Sequence, residues 1–492
     1  MSAVTTDHPP EDDTPLYEKR REIYPQAIKG RFRTIKWALM AICLGVYYFL
    51  PFLRWDRGPN APDQAVLIDF PERKFYFFFV EIWPQELYYV VGLLILAAVM
   101  LFLMNAVAGR LWCGYLCPQT VWTDLFFAVE RFVEGDRRER MKKHGQPLTA
   151  RRVGELGLKH FLWLMIAWWT GGAWVLYFAD APTLVWQLAT LQAPMVAYLW
   201  IGILTATTYL LAGFAREQVC LFMCPWPRIQ AALTDEEALN VTYRYDRGEP
   251  RMSVKRAEKA REQGQTVGDC VECDQCIAVC PTGIDIRQGP NLGCIQCGLC
   301  IDACDRVMEK INRPAGLIAY DTDKNIKARQ EGRPEVFRPI RPRTILYAAF
   351  IVIVGVGMLY SLLTRNFTYL GVLHDRNPLY VQLSDGQIRN AYTINISNKK
   401  TEARDYVLTV EGLPGASVTA VGAREEGGRL VFPVGPGTPQ QYRVFLTAPA
   451  DAVREKEADL RFTVTAADGE HATARDEFHV PHHKRTNDGD PD

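Results

Sequence analysis

Eight cysteines between Cys270 and Cys304 stand at spacings suited to holding metal. They form the run C-x2-C-x2-C-x3-C twice, as Cys270, Cys273, Cys276 and Cys280 before Pro281, then as Cys294, Cys297, Cys300 and Cys304 before Asp305. Three closely spaced thiolates can wrap one [4Fe–4S] cubane, and the fourth cysteine of such a run ligates the other cluster. The spacing therefore assigns Cys270, Cys273, Cys276 and Cys304 to one cluster, and Cys294, Cys297, Cys300 and Cys280 to a second. Structural zinc also uses C-x2-C pairs, but a four-coordinate ion gains nothing from a third cysteine two residues on, whereas a cubane does. Asp305 stands where the run would carry proline, which leaves the turn after the second run open but not the ligation.

A second set of thiols repeats at longer range. Gly109-Arg110-Leu-Trp-Cys113-Gly-Tyr-Leu-Cys117-Pro118 and Gly213-Phe-Ala-Arg216-Glu-Gln-Val-Cys220-Leu-Phe-Met-Cys224-Pro225 both place a basic residue and C-x3-C-P just after an apolar segment. On a helix, residues four apart hold their Cβ atoms about 5–6 Å apart, beyond the roughly 3.5–4.5 Å of a disulfide. Two soft thiolates converging on one ion face no such limit and suit Cu(I), zinc or an iron–sulfur centre. Inert buried thiols would explain one pair better than two in equivalent positions. A copper ion, a further cluster and a dithiol couple across the two pairs all remain open. Cys43, in an apolar run, reads as a small buried hydrophobe.

These thiols need elements to position them. The chain has 492 residues, enough for several domains, and a formal charge of zero, which offers no bulk field for nucleic acid or an acidic partner. Five segments, near Thr34–Leu53, Glu86–Val107, His160–Ala179, Met195–Phe214 and Thr344–Leu363, are apolar over the ~20 residues that a bilayer-crossing helix requires. Only helices or closed barrels satisfy their backbone groups in lipid, so an integral membrane protein is expected. Arginine and lysine crowd the segment before the first span and the loop between the second and third, which places those parts in the cytoplasm. The loop Asp180–Pro194 has neither, and Arg54–Gln85 mixes a few basic residues with acids. The N-terminus and the loop with the ferredoxin runs are then inside and the C-terminus outside. Met1–Leu16 is polar, acidic and proline-containing, without the pattern of a signal peptide. Pro118–Val133 reads as an interfacial helix or a re-entrant turn, and the charged stretch Thr242–Gln265 as a solvated connector.

After the fifth span the period changes to two. Tyr392, Ile394 and Ile396 alternate with polar residues, as do Tyr406, Leu408 and Val410, Tyr442, Val444 and Leu446, and Leu460, Phe462 and Val464. Turn signals such as Ser384-Asp385-Gly386 and Glu426-Gly427-Gly428 separate them, so an immunoglobulin-like β-sandwich without cysteine is expected. His479, His482 and His483 near the end could bind copper, yet no methionine or cysteine accompanies them and a solvated tail fits better. The divisions are a cytoplasmic tail to residue 33, a four-helix membrane domain over 34–241, the ferredoxin loop over 242–342, a fifth transmembrane helix over 343–364 and an outer all-β domain over 365–492.

On these motifs the chain resembles the CcoG/FixG (RdxA/RdxB) family of cytochrome c oxidase accessory proteins. The carriers of the resemblance are the two C-x3-C-P motifs, the two-cluster ferredoxin loop, the sandwich tail and the phrase Asp246-Arg247-Gly248-Glu249-Pro250-Arg251. The resemblance implies a protein of the bacterial inner membrane that reduces Cu(II) to Cu(I) while a cbb3-type oxidase is assembled. Its partners would be the assembly machinery, copper transporters or chaperones and an electron donor. Cys113, Cys117, Cys220 and Cys224 would then be the copper or redox thiolates of a cupric reductase, and the eight ferredoxin cysteines its relay. Two other readings use the same residues. One is a quinol-linked electron-transfer subunit similar to the NapH or NosR type, without haem, since His160 is the only histidine near a span. The other is a non-enzymatic metal-binding scaffold.

Overall fold

A computed structural model describes residues 22–449 and 457–481, which fall into two compact units. The first holds most of the helices and the whole cysteine-bearing region. In chain order, α1 (Arg31–Phe49) runs on through a 3-10 turn to Phe52, and β1 (Val66–Asp69), β2 (Lys74–Phe77) and β3 (Val80–Ile82) make a small sheet. Next come α2 (Tyr88–Ala108), the short α3 (Leu111–Tyr115), α4 (Pro118–Glu134), α5 (Arg137–Lys143), α6 (Ala150–Val175), α7 (Ala181–Ala189) and α8 (Met195–Thr208). The last continues as a π-helix over Tyr209–Ala215, and a second π turn, Val219–Met223, leads to α9 (Trp226–Leu233). Single-turn π segments concentrate at functional sites.

Four helical stretches among the described residues are long and apolar enough to cross a bilayer: Arg31–Phe52, Pro84–Ala108, Met195–Ala215 and Pro342–Leu363. The remaining expected span, His160–Ala179, falls mostly in α6, whose helix ends at Val175 and begins ten residues before His160, carrying Arg151, Arg152, Glu155 and Lys159. The helix is long enough, but its first third is charged. The expected interfacial or re-entrant segment is the regular helix α4, and its inner face is ionic. Asp124 accepts two hydrogen bonds from Arg33 at 2.8 and 2.9 Å with Lys36 nearby. Glu130 pairs with Arg140 at 2.6 Å and with Arg216, while Glu134 takes Lys159 at 3.0 Å and Arg140 and Arg152 at 3.3 Å. Carboxylates this buried persist only when paired, since removing one partner from a buried pair costs about 3–5 kcal/mol.

The cluster-binding module is built from β4 (Asn240–Tyr243), α10 (Tyr245–Gly248), α11 (Val254–Glu262), α12 (Gln275–Ala278), α13 (Leu299–Lys310), β5 (Ile318–Asp321) and α14 (Asp323–Gln330). The stretch Thr242–Gln265, expected as a solvated connector, is partly structural: β4 pairs antiparallel with β5, and Tyr243 is buried in the module's core. Alternation of Val241 and Tyr243 with polar neighbours is the strand signal that the surrounding charge obscured. The module is docked onto α1 by Asp302, whose carboxylate accepts the backbone N–H of Phe32 at 3.1 Å and of Arg33 at 2.8 Å. It thus serves as the N-terminal cap that Gly30 lacks, and places negative charge at the positive end of the helix.

After α15 (Pro342–Leu363) the second unit is an all-β sandwich. One sheet has the order β10 (Ser417–Val421), β13 (Thr438–Ala448), β8 (Ile388–Asn398), β6 (Thr368–His374), with β7 (Val381–Gln382) also on β8. The other runs β11 (Arg424–Glu426), β12 (Arg429–Val434), β9 (Arg404–Glu411), β14 (Glu457–Ala466), β15 (His471–His479). Every strand pair is antiparallel. Tyr392, Ile394, Ile396, Tyr406, Leu408, Phe462 and Val464 form the core between the sheets, while Val410 packs at its margin. His479 closes β15 with its Nδ1 3.4 Å from Glu457, whereas His482 and His483 lie outside the described residues.

Candidate redox site

Two hollows in the first unit collect the eight ferredoxin cysteines. Cys270, Cys273, Cys276 and Cys304 line one, beside Tyr243, Arg287 and Met308. Cys280, Cys294, Cys297 and Cys300 line the other, with Cys276 between the two. The fourth cysteine of each run thus faces the hollow of the opposite run. Burial pushes the thiols of Cys276, Cys294 and Cys304 up to about 12, so without metal they are neutral. A bound metal reverses this logic, because a coordinating thiol is deprotonated outright. Two separate sets of four thiols, with no histidine lining either hollow and the one carboxylate there, Asp274, paired with Arg287 at 2.7 Å, fit two [4Fe–4S] clusters. Asp305 is accounted for as well: α13 runs through Cys304 to Lys310, where proline would break it, and the Asp305 carboxylate accepts the Gly316 N–H at 2.7 Å. The first run can carry Pro281 because α12 has already ended at Ala278.

The C-x3-C-P motifs are not continuous helices. Cys113 is on α3, but Cys117 has extended backbone as the cap of α4, with Pro118 as that helix's first residue. Cys224 is likewise extended, after the π turn that holds Cys220 and before Pro225 and α9. The repeat is best aligned on its cysteines, which puts Arg216 rather than Gly213 opposite Gly109. Both residues take the same unusual corner, φ 54° and ψ −127° at Gly109 and φ 43° and ψ −114° at Arg216. Glycine adopts it freely, but arginine does so only where its surroundings enforce it. The enforcement at Arg216 is its guanidinium, which pairs with Glu130 and lies over the Phe127 and Trp163 rings.

Cys113 lies within electrostatic reach of the other three thiols, and Cys220 of Cys117 and Cys224. Burial first and then Cys117 push Cys113 up to about 12, Cys220 and Cys224 add to the rise, and Arg110 opposes it. Burial followed by Cys117 and Cys224 pushes Cys220 up to about 11. Cys113, Cys117 and Cys220 are half-buried and Cys224 is exposed, so the set is open on one side. Cys43 is also half-buried, on α1, rather than fully buried.

The first motif is seated directly on the second cluster hollow. A Cβ on Gly114 would lie 2.7 Å from the Ile295 carbonyl oxygen and 3.1 Å from Cys297 Cα, so only glycine allows this approach. Tyr115 donates its hydroxyl to the Cys297 carbonyl at 3.0 Å. Arg110 accepts nothing and donates widely: its N–H goes to Gln296 Oε1 at 2.7 Å, and its guanidinium to the carbonyls of Leu292 at 2.5 Å and Pro227 at 2.8 Å. It ties the first motif, the cluster loop and α9 together. Cys113 Sγ donates to Gln230 Oε1 of α9 at 3.5 Å. Of these positioning residues, Gln296, Asp302, Gln230 and Tyr115 carried no signal in spacing alone. Asp124, Glu130 and Glu134 did, as acids three or four residues from the next inward position of an otherwise apolar helix. Gly114→Val should cost ~1–3 kcal/mol through overpacking and weaken the seat. Thermal unfolding of the holo-protein would check it, and an unchanged midpoint would argue against the close approach.

A ferredoxin-type module fixed to helices long and apolar enough to span a membrane, with its thiols in two cluster sets, defines a membrane-bound iron–sulfur electron-transfer protein. The comparisons agree. A family model described as a 4Fe-4S dicluster domain matches residues 215–323, one described as a 4Fe-4S binding domain matches 90–135, and one described as the IG-like fold at the C-terminus of FixG, putative oxidoreductase, matches 358–481. The chain is 49% identical over 481 residues to the nitrogen fixation protein FixG of Rhizobium meliloti, covering 92% of this chain and 91% of that one. It is 50% identical over 460 residues to protein RdxA of Cereibacter sphaeroides, covering 92% and 96%, and 49% identical over 437 residues to RdxB of the same organism, covering 86% and 91%. The chain belongs to the FixG/RdxA family.

Proposed function

We propose that this protein reduces Cu(II) to Cu(I) at a site formed by Cys113, Cys117, Cys220 and Cys224, and thereby serves copper-site maturation of a cbb3-type cytochrome c oxidase. The observation that carries the reading is the seat of the Cys113 motif on the Cys297 loop, through Gly114 and Tyr115. When bound, the clusters supply one-electron transfer. The reaction needs one electron per copper, and the product ion prefers the soft ligands that stand there. Arg110 holds the thiol set and the cluster loop at fixed separation, and the exposed Cys224 leaves a side for the ion to enter. Oxidase assembly factors and copper carriers are the partners this reading requires. Protein purified anaerobically, with its clusters reduced by dithionite, should turn over Cu(II). No turnover by fully loaded protein would leave the scaffold reading in its place.

One observation favours a second occupant of the thiol site. The matching model over residues 90–135, which includes Cys113 and Cys117, is described as 4Fe-4S binding. Four thiols suit a third cluster, and iron analysis separates the cases: about eight irons per chain if copper is substrate there, about twelve if a third cubane is resident.

The arginine-rich segments support a reading in which the N-terminus and cluster module are cytoplasmic and the sandwich periplasmic, and that reading requires α6 to span with the four more apolar stretches. Reporter fusions after Val133, Asp321 and Gly469 should read inside, inside and outside. An inside signal at Gly469 would mean an even number of crossings.

A further inference from the structure

A cavity of about 380 Å³ lies where α6 changes from charged to apolar, and the redox site described above does not use it. Its polar wall carries Glu130, Glu134, Arg140 and Arg216, and its other wall His160, Trp163 and Phe214. The His160 ring stacks on Phe214 with 6.0 Å between centroids and meets Trp163 edge-on at 5.2 Å. Tyr209 of the π segment holds His160 Nδ1 at 2.9 Å, which leaves Nε2 without a hydrogen-bond partner among the described residues. Arg140 is buried, yet its Nη1 has no partner either.

We propose that this cavity binds a membrane quinol and is the point at which electrons enter the protein. The inference rests on the reading that electrons leave through the clusters to the thiol site. The ligand chemistry follows from the lining. Each buried cation is already matched by Glu130 or Glu134, so a phosphate would meet two buried carboxylates, whereas a neutral ligand carrying hydroxyl donors and carbonyl acceptors would not. An aromatic wall beside an unsatisfied guanidinium N–H and a free imidazole nitrogen suits a flat ring with oxygens at opposite ends. The position at the charged-to-apolar boundary of α6 admits a donor that arrives through lipid.

The cavity also connects to the cluster module. A narrow crevice shares Arg216 and Glu217 with it and continues past Cys220 to Pro281 and Thr282. Thr282 Oγ1 is 3.3 Å from Cys280 Sγ. In the reaction both O–H bonds of the quinol break and the ring becomes the quinone. His160 Nε2 takes one proton, its Nδ1–H being the donor to the Tyr209 hydroxyl, and the Glu130–Glu134 carboxylate set takes the other, while two oxidised [4Fe–4S] clusters held by the eight ferredoxin cysteines would accept one electron each.

Two measurements on the full-length protein test this. In oxidised holo-protein, equilibrium dialysis with decylubiquinone should show saturable binding at one site per chain, lost in His160→Phe. In holo-protein, decylubiquinol should reduce the clusters, and His160→Gln, which keeps the hydrogen bond to Tyr209 but cannot take the proton, should slow that step by about 10²-fold while dithionite reduction stays unchanged. Equal rates in the wild type and His160→Gln, or a cavity that retains phosphatidylglycerol and binds no quinone, would overturn the proposal. Dithionite-driven Cu(II) reduction bypasses the cavity, so its loss would count against the copper reading alone.

Discussion

Replacing Cys113, Cys117, Cys220 and Cys224 together by alanine should abolish Cu(II) reduction and leave the ferredoxin EPR signals in place. Structure separates the two sets of thiols: the eight ferredoxin cysteines line their own hollows, and none of the four C-x3-C-P thiols lines either. The contacts that hold the first motif to the cluster loop run through the Arg110 backbone and guanidinium, the Gly114 backbone and the Tyr115 hydroxyl. All of these survive the substitutions. Among the described residues, Cys113 itself contributes one side-chain hydrogen bond, the long one to Gln230 at 3.5 Å, for which a net stability loss of about 1 kcal/mol or less is expected. Cys224 is exposed, so its truncation leaves no cavity. The double variant Cys220→Ala with Cys224→Ala should lose activity nearly as fully as the quadruple, because two thiolates cannot close the soft site that four provide. Stopped-flow reduction of Cu(II) by protein with pre-reduced clusters is the measurement. A quadruple variant that reduces copper at the unmodified rate would falsify the assignment and favour the quinol-linked reading without copper.

The reason so much of this molecule is legible in its sequence is that cluster ligation and lipid crossing are both local patterns. The C-x2-C-x2-C-x3-C runs name their own ligands, and the stretches near α1, α2, α8 and α15 announce themselves by length and hydropathy. The sandwich was visible through the two-residue period of β8, β9, β13 and β14, whereas β10 and β11 are short edge strands with exposed alternate residues and give little signal. The segment of α6 was harder, because four charges in its first third belong to an ion-pair network with α4 and α5 that only folding assembles. The same holds for Asp302: within its run it is an ordinary spacer between Cys300 and Cys304, and it becomes a helix cap because α1, some 270 positions earlier, starts against it. Both motifs are preceded by a glycine, Gly109 and Gly213, but at different distances from the first cysteine. Backbone angles, which sequence spacing does not report, pair Gly109 with Arg216 instead.

Changing Cys280 alone should cost a whole cluster on the far side of the module. Its run is Cys270 to Cys280, yet Cys280 lines the hollow of Cys294, Cys297 and Cys300, while Cys304 from the second run completes the first hollow. Cys280→Ser should therefore reduce iron from about eight to about four atoms per chain, with loss of the signal from the cluster held by Cys294, Cys297 and Cys300. Serine fits the space and can bond to Thr282 as the thiol does at 3.3 Å, so the protein fold is not the variable that changes. Because serine oxygen can itself ligate iron weakly, Cys280→Ala belongs beside it and should give the cleaner loss. Cys43→Ser, on α1 and away from both hollows, is the matching control and should retain all the iron. The affected cluster is the one against Tyr115 and Gly114, so Cu(II) reduction should fall with it even though the cluster held by Cys270, Cys273, Cys276 and Cys304 remains reducible by dithionite. Retention of about eight irons in Cys280→Ala would show that each run ligates its own cluster. Zinc in place of iron in the unmodified protein would remove the electron-transfer reading at its root.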